Sequence, residues 1–192
     1  MREERDNSDK RLFIAIDIPE NTKKSIYSFT SDLFGNDSGI KIVPASNVHV
    51  TLKFLGNINT GKIGKIESAV KISADSLKSF RYRITGRVNA FPNLRSARVI
   101  YLEIGDGRLQ ISKIYNILEN NLSKIKIRKE GRKFTPHITI GRIRGKKDIE
   151  KPVSGQLECP ADWMDCLDIT LFESKLKPYG AEYSIISKFN LK

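Results

Sequence analysis

Two short segments of the sequence share a residue pattern that could carry acid–base chemistry. Residues 49–52 read His-Val-Thr-Leu, and residues 137–140 read His-Ile-Thr-Ile. The chain has only two histidines among its 192 residues, and both lie in this setting. With eight threonines in the chain, threonine would follow both histidines at this spacing by chance roughly once in six hundred such sequences. The duplication therefore indicates a function more strongly than either motif does alone.

Strand geometry predicts how these residues are arranged. In an extended strand, residues i and i+2 project from the same face, about 6.5–7 Å apart. His49 and Thr51 should therefore point together, while the aliphatic residue between them enters the core. The same holds for His137 and Thr139. If a pseudo-twofold relates the two strands, two imidazoles and two hydroxyls meet in one cleft.

Two imidazoles in one cleft suit the hydrolysis of a cyclic phosphodiester. One can remove a proton from the attacking water while the other protonates the leaving oxygen. Hydroxyls and nearby cations can hold the phosphoryl oxygens and offset the charge that grows on them. The alternative is structural, because strand histidines are often structural and threonine favours strands by propensity. That alternative does not explain why the polar pair recurs in matching strands.

The surrounding sequence predicts an α+β fold that presents these strands. Two-residue alternation and apolar runs predict strands, and apolar residues at helical spacing predict helices. The elements do not alternate regularly as βαβ units, so the sheet should be largely antiparallel. The predicted strands cover residues 12–18, 48–55, 80–88, 98–104, 134–144, 167–173 and 183–191, and the predicted helices begin near residues 21, 60 and 109.

Composition narrows the class of protein. The formal net charge of +12 and the sequence pI near 9.7 favour anionic partners, nucleic acid first among them. No apolar run approaches the roughly 20 residues of a membrane-spanning helix. We expect a disordered tail over residues 1–10 and one bilobal domain over residues 11–192. Cys159 and Cys166 are too few for a disulfide framework or a zinc site, so a cytoplasmic protein without a metal site is expected.

Beyond the two motifs, several segments resemble the 2H phosphoesterase superfamily. Within it, the chain is most similar to the RNA 2′,3′-cyclic phosphodiesterases of bacteria and archaea, historically called 2′–5′ RNA ligases. The resemblance covers nearly the whole chain after the tail. It is carried by residues 11–16 (Arg-Leu-Phe-Ile-Ala-Ile), 49–56, 91–93 (Phe-Pro-Asn), 136–142 and 171–176 (Leu-Phe-Glu-Ser-Lys-Leu).

The resemblance implies a specific fold and reaction. The fold would be bilobal, with two pseudo-symmetric antiparallel sheets, helices on the outer faces and the active site between the lobes. The reaction would convert RNA 2′,3′-cyclic phosphate ends to 2′-phosphomonoesters, in a monomer that needs no cofactor and no membrane. His49 would be the proton donor to the leaving 3′ oxygen, and His137 would be the proton acceptor from water. Thr51 and Thr139 would bind phosphate.

Two cations are further phosphate-binding candidates. In a regular strand, Lys53 lies on the same face as His49 and could reach phosphate, or it could be a solvated side chain. The same alternation places Phe54 on the core face. Arg142 matches an arginine that relatives place near the phosphate, but its odd offset from His137 would aim it away in a regular strand. A bulge at Gly141 could re-aim it, and otherwise it would be a solvated residue at the end of a strand.

Two functions compete with cyclic-phosphate hydrolysis. A non-catalytic RNA-binding module of the same fold would not need paired proton-transfer groups. The same site could also run in reverse and seal a cyclic end to a 5′-hydroxyl, and the absence of a P-loop makes such ligation independent of ATP. The basic stretch 124–133 could guide RNA or simply be a charged loop. Relatives often have Trp before the first motif, where this chain has Ile42 and Val43, so the base contact should differ.

Overall fold

The predicted α+β fold is confirmed. A computed structural model describes residues 8–155, 158–160, 162–178 and 180–192. None of the helices in these ranges is long and apolar enough to cross a membrane. The strands are β1 (Asp9–Asp17), β2 (Ile40–Ile42), β3 (His49–Asn59), β4 (Phe80–Tyr82), β5 (Ile84–Phe91), β6 (Ala97–Ile104), β7 (His137–Lys147), β8 (Met164–Cys166), β9 (Asp168–Lys177) and β10 (Gly180–Asn190), and the helices are α1 (Glu20–Phe34), α2 (Ile63–Asp75), α3 (Arg108–Lys124) and α4 (Glu150–Val153).

The strands form two antiparallel half-sheets that meet at the motif strands. The strand order is β10-β9-β1-β3-β7-β6-β5; β2 also pairs with β7, on the edge opposite β6 and beyond the contact with β3, and β4 and β8 form a separate pair. In the part of the chain that the structure describes, β3 and β7 pair only through Val50 and Ile138. The two lobes expected from the resemblance are therefore the two halves of one strand path, joined where the motifs lie.

Neither lobe is a continuous piece of the chain. Strands β9 and β10 return from the C-terminal end to complete the half-sheet that β1 begins. Of the predicted tail, residues 1–7 lie outside the described residues, whereas Asp9 and Lys10 already belong to β1. Strand β1 therefore starts before the predicted boundary at residue 11, because these two residues pair with the far end of β3.

Residues 12–16 of strand β1 are all apolar because both faces of this strand are covered. Leu12, Ile14 and Ile16 join the main core beneath the helices. Phe13 and Ala15 face the other way and form a smaller cluster. Helix α1 packs on β2 and β7, and α2 packs on β9, β10 and α3. The helices thus cover one face of the sheet, while on the opposite face β1 is covered by the side chains of Phe172 and Tyr183, and the cleft can form on this face.

Candidate active site

The two motif strands start at their histidines and meet directly after them. Strand β3 begins at His49 and β7 at His137, and the Val50–Ile138 pair fixes their register. An antiparallel register centred on this pair aligns each histidine with the threonine of the other motif. Val50 and Ile138 are fully buried toward the helices, so the alternate residues, His49 and His137 among them, face the cleft.

Backbone carbonyls hold both imidazoles in the same tautomer. Nδ1 of His49 lies 2.8 Å from the carbonyl oxygen of Asn47, and Nδ1 of His137 lies 2.7 Å from that of Thr135. A carbonyl oxygen only accepts hydrogen bonds, so Nδ1 carries the proton in each neutral ring and Nε2 presents its lone pair. Nε2 of His49 lies 2.8 Å from the hydroxyl oxygen of Thr51, which donates to it. In each motif, Nε2 is therefore the ring nitrogen whose lone pair can take up a proton.

Aromatic rings bury His49 and depress its basicity. Its ring centroid lies 5.0 Å from that of Phe13, 5.5 Å from that of Tyr183 and 6.4 Å from that of Phe172, which also stacks on Phe13. Because the charged imidazolium would lose its hydration there, burial lowers the pKa of His49 to about 4. The nearby positive charge of Lys23 acts in the same direction.

His137 has a similar but separate aromatic environment. Its ring lies edge-on to Phe91 and Tyr101, with both centroid distances at 5.1 Å. Burial lowers the pKa of His137 below its ordinary value, and the positive charge of Arg142 lowers it further. Both imidazoles are therefore neutral in the free protein at neutral pH.

A cavity of about 670 Å³ opens beside the motifs. His137, Thr51, Thr139 and Arg142 all line it. His49 reaches the cavity through the Thr51 hydroxyl, to which its Nε2 is bonded. Three of the four motif side chains thus line the cavity, and the fourth, His49, contacts it through its hydrogen bond with Thr51.

A bulge in β7 brings Arg142 to this cavity. Along β6, Ile100 pairs with Gly141 and Tyr101 pairs with Thr139, so Ile140 is an extra residue. The extra residue reverses strand parity and places Arg142 on the same face as Thr139. Glycine leaves room at the bulge: a Cβ at position 141 would lie 3.3 Å from Cγ2 of Ile40, so a larger residue would require Ile40 to shift by a few tenths of an ångström. The bulge expected near Gly141 is therefore present, at Ile140, and the phosphate role of Arg142 stays a prediction.

A matching bulge in β3 reverses the strand parity of Lys53, which still contributes to the lining of the cavity while its ammonium group points toward Glu119. Along β1, Ala15 pairs with Thr51 and Ile14 pairs with Lys53, so Leu52 is the extra residue. Lys53 is 6% exposed; its Nζ lies 2.7 Å from Oε1 of Glu119 and donates to the carbonyl oxygen of Arg128 at 2.8 Å. The prediction that Lys53 shares a strand face with His49 and Thr51 is thus wrong. Its ammonium group already has two partners, Glu119 and the carbonyl oxygen of Arg128.

The same bulge exposes Phe54, which strand periodicity places on the core face. Phe54 is 60% exposed and lines the cavity beside Arg142. It also lines a second cavity of about 400 Å³ together with Arg11 and Tyr183. Phe54 follows His49 by five residues, as Arg142 follows His137. Comparing the two motifs at this offset would have indicated that the two residues share a location.

The remaining sequence candidates do not add a site. Cys159 and Cys166 are free thiols in the core, and burial raises the pKa of each to about 12. Within the described ranges, no three or more His, Cys, Asp or Glu side chains are grouped closely enough to hold a metal ion. The chemistry-bearing groups therefore concentrate around the two motifs.

Known proteins share both the sequence pattern and the fold. The family model described as LigT like Phosphoesterase matches residues 16–101 and 104–181. A Methanocaldococcus jannaschii relative named RNA 2′,3′-cyclic phosphodiesterase is 32% identical over 183 residues, which cover 93% of this chain and 99% of the relative. A Thermotoga maritima relative of the same name is 30% identical over 176 residues, covering 92% of both chains.

Solved structures show the same architecture at lower sequence identity. Escherichia coli LigT in complex with 3′-AMP has a TM-score of 0.75 to this chain at 23% identity, covering 96% of this chain and 99% of that chain. A Thermus thermophilus protein also has a TM-score of 0.75 at 23% identity, with coverages of 94% and 97%. At such identities the match bears on the fold alone.

Proposed function

The chain belongs to the LigT-like phosphoesterase family, and we propose that it hydrolyses RNA 2′,3′-cyclic phosphate ends to 2′-phosphomonoesters. Relatives at about 30% identity carry the name of this activity. The observation that carries the proposal is the matched pair of imidazoles, each with Nδ1–H bonded to the carbonyl two residues before it. Because both rings are held through Nδ1 in the same way, the Nε2 atom of each imidazole can serve in proton transfer beside one cavity.

The geometry supports a single displacement at phosphorus. Water attacks the phosphorus while Nε2 of His137 accepts its proton. The bond between phosphorus and the 3′ oxygen breaks, and His49 donates a proton to that oxygen. Thr51 and Thr139 donate hydrogen bonds to the non-bridging oxygens, and Arg142 offsets the charge that develops there. Rotation of the Thr51 hydroxyl toward phosphate would release Nε2 of His49 for the leaving group.

An RNA oligonucleotide with a 2′,3′-cyclic phosphate end tests the proposal directly. The expected product carries a 2′-phosphate, so a 3′-specific phosphatase should release no phosphate from it. Release of phosphate would show that the other P–O bond breaks. A cyclic end that survives prolonged incubation with the folded protein would contradict the proposed function.

Removing either threonine hydroxyl should slow the reaction without abolishing it. Thr51→Val and Thr139→Val keep the side-chain shape but lose one hydrogen bond to phosphate, worth about 1–3 kcal/mol or roughly 5- to 150-fold in kcat/KM. Thr51→Ser and Thr139→Ser keep the hydroxyl and serve as controls that should stay near the wild-type rate. Steady-state kinetics on the cyclic substrate measures the difference. A folded valine variant as inactive as a histidine variant would mean that threonine takes part in proton transfer.

Activity should survive excess EDTA. The proposed proton transfers use imidazoles, and the hydrogen-bond donors assigned to phosphate are hydroxyls and a guanidinium, so no step draws on a metal ion. The measurement is the initial rate before and after dialysis against chelator. Loss of activity that a divalent cation restores would contradict this prediction.

Phe54 offers a stacking surface for a base of the substrate. Its exposed ring adjoins Arg142 in the cavity, and stacking of a base on an aromatic ring contributes about 1–3 kcal/mol. Phe54→Ala should therefore raise KM roughly tenfold or more, while Phe54→Tyr should keep the wild-type value. Equal KM values for the alanine variant and the wild type would place the base elsewhere.

The proposal includes a monomer that works in the cytoplasm. The cytoplasmic location is supported by the pair of free, buried thiols, Cys159 and Cys166, because unpaired cysteines are usual in reducing compartments. Light scattering behind a sizing column tests the oligomeric state, and a mass of two chains would contradict it.

A further inference from the structure

A basic loop forms one wall of the cavity that contains His137. The loop comprises residues 125–136, between α3 and β7. Its residues Arg132, Lys133 and Phe134 line the cavity. Arg98, at the start of β6, lines the same cavity. The catalytic motif and a cluster of cations therefore face one space.

A buried clasp holds this loop in place. Lys53 and Glu119 form an ion pair in which each residue is 6% exposed. Lys53 donates through Nζ to the carbonyl oxygen of Arg128, and Oε2 of Glu119 accepts a hydrogen bond from the backbone N–H of Glu130 at 2.7 Å. Both members of the pair thus bind the loop backbone, so the clasp connects the strand of the first motif to the wall of the cavity.

Two further contacts fix the loop to α3. The ring of Phe134 stacks on Tyr115 with centroids 4.1 Å apart and an interplanar angle of 5°. Lys129 donates to the side-chain oxygen of Asn120 at 2.6 Å. The loop is therefore held against α3 both near its middle, at Lys129, and near its end, at Phe134, and is not an unsupported charged segment.

The cations on this wall exceed what the reacting group requires. A cyclic phosphate diester carries one negative charge, and Arg142 already lies beside the motif threonines. Arg98, Arg132 and Lys133 are exposed, and no carboxylate of the described ranges forms an ion pair with them. Glu130 contributes the one carboxylate among the residues that line the cavity. A second anion is therefore expected there.

We propose that Arg98, Arg132 and Lys133 form a subsite for the internucleotide phosphodiester on the 5′ side of the terminal nucleotide. This inference rests on the proposed function, because that phosphodiester is the nearest other anion on an RNA with a 2′,3′-cyclic end. Grooves that bind single strands combine cations along the backbone with aromatic rings for the bases, and Phe54 and Phe91 line the same cavity. Lys53 is then a positioning residue for the subsite, not a ligand of the reacting phosphate.

Three substrates separate the subsite from the reaction itself. They are a nucleoside 2′,3′-cyclic phosphate with a 5′-hydroxyl, the same compound with a 5′-phosphate, and a dinucleotide with the same cyclic end. We expect kcat/KM to be about tenfold higher for the second and third than for the first. For the dinucleotide, the slope of log kcat/KM against log salt should be more negative by about 0.7 than for the 5′-hydroxyl compound.

Charge-neutral variants assign the preference to the basic loop. The double variant Arg132→Gln/Lys133→Gln should lower kcat/KM for the dinucleotide about tenfold more than for the 5′-hydroxyl mononucleotide. Lys24→Gln/Lys65→Gln removes two exposed charges from α1 and α2, away from the cavity, and should keep the wild-type preference. Lys53→Met, assayed where circular dichroism shows it folded, should lose the preference as the loop variant does.

Each outcome of this comparison decides a different point. Equal kcat/KM for all three substrates would overturn the subsite while leaving the proposed function intact. A preference that requires the second nucleoside but not the 5′-phosphate would also overturn it, as would a loop variant with the full wild-type preference. A folded Lys53→Met protein that keeps the preference would overturn the positioning role of Lys53. Turnover of none of the substrates would overturn the proposed function and the subsite with it.

Discussion

Replacing His137 with alanine is expected to lower kcat/KM for an RNA 2′,3′-cyclic phosphate by about 10²–10⁴-fold. This is the usual contribution of a general base, and no other side chain among the described residues holds an imidazole at the cavity. His49→Ala should cause a loss of similar size, because the 3′ oxygen would then leave as an alkoxide. Initial rates measured with each folded variant test both expectations. Wild-type rates in both variants would leave the two-histidine mechanism without support.

A substrate with a better leaving group separates the two histidines. If the leaving oxygen belongs to p-nitrophenol instead of ribose, it departs without needing a proton. The His49→Ala variant lacks only leaving-group protonation, so its rate relative to wild type should recover. His137→Ala still lacks the base that activates water and should recover less. If only the rate of His137→Ala recovered, the roles of acid and base would have to be exchanged. Equal recovery of both rates would show that neither residue protonates the leaving group.

The residues to which we assign the chemistry could be predicted because they follow a local rule. His49 and Thr51 share a face since a strand has a period of two, and the same holds for His137 and Thr139. Local periodicity also predicted the order of the longer helices and strands, whereas it missed the short elements β2, β8 and α4 and merged β4 and β5 into one strand. The β-branched residues between the polar ones, such as Val50, identify the buried face without any knowledge of the fold.

The rule fails at one place in each motif, directly after the threonine. Bulges at Leu52 and Ile140 reverse strand parity, so Arg142 enters the cavity, Phe54 leaves the core and Lys53 turns inward. A bulge is a property of the hydrogen-bond ladder with the neighbouring strand, and that ladder involves residues far along the chain. Gly141 gave a local signal for one bulge, whereas nothing comparable marks the bulge at Leu52.

The environment of the histidines also depends on distant residues. The rings around His49 come from β1, β9 and β10, through Phe13, Phe172 and Tyr183. The clasp between Lys53 and Glu119 joins a strand to a helix. Neither arrangement has a signature in nearby sequence, because each depends on how the C-terminal strands and α3 pack. The pKa values of the two imidazoles therefore could not be predicted before the fold was known.

These pKa shifts change the expected pH dependence. An ordinary imidazole titrates near pH 6.5, so the sequence alone predicts rate limbs on either side of neutrality. Burial lowers the pKa of His49 to about 4 and also lowers the pKa of His137. The mechanism needs His49 protonated and His137 neutral. Since kcat/KM reports ionisations of the free enzyme, both limbs should lie below the ordinary value, and the two apparent values belong to the coupled pair.

The expected profile of kcat/KM is a bell whose maximum lies on the acidic side of neutrality. Below the maximum, His137 takes up a proton and can no longer act as a base; above it, His49 loses the proton that the leaving oxygen needs. Because the rate falls tenfold per pH unit beyond the upper limb, kcat/KM near pH 8.5 should be at least ~100-fold below its maximum.

The two alanine variants and measurements at saturating substrate should change the limbs of this profile in ways that are specific to the proposed mechanism. His137→Ala should lose the acidic limb and keep the basic one, whereas His49→Ala should lose the basic limb and keep the acidic one. Bound phosphate adds a negative charge beside both imidazoles, which raises their pKa values, so the limbs of kcat should lie at higher pH than those of kcat/KM. Rates measured from about pH 4 to 9 at constant ionic strength test all three statements. A kcat/KM maximum on the alkaline side of neutrality would show that the aromatic rings around His49 and His137 do not keep the imidazoles uncharged in solution.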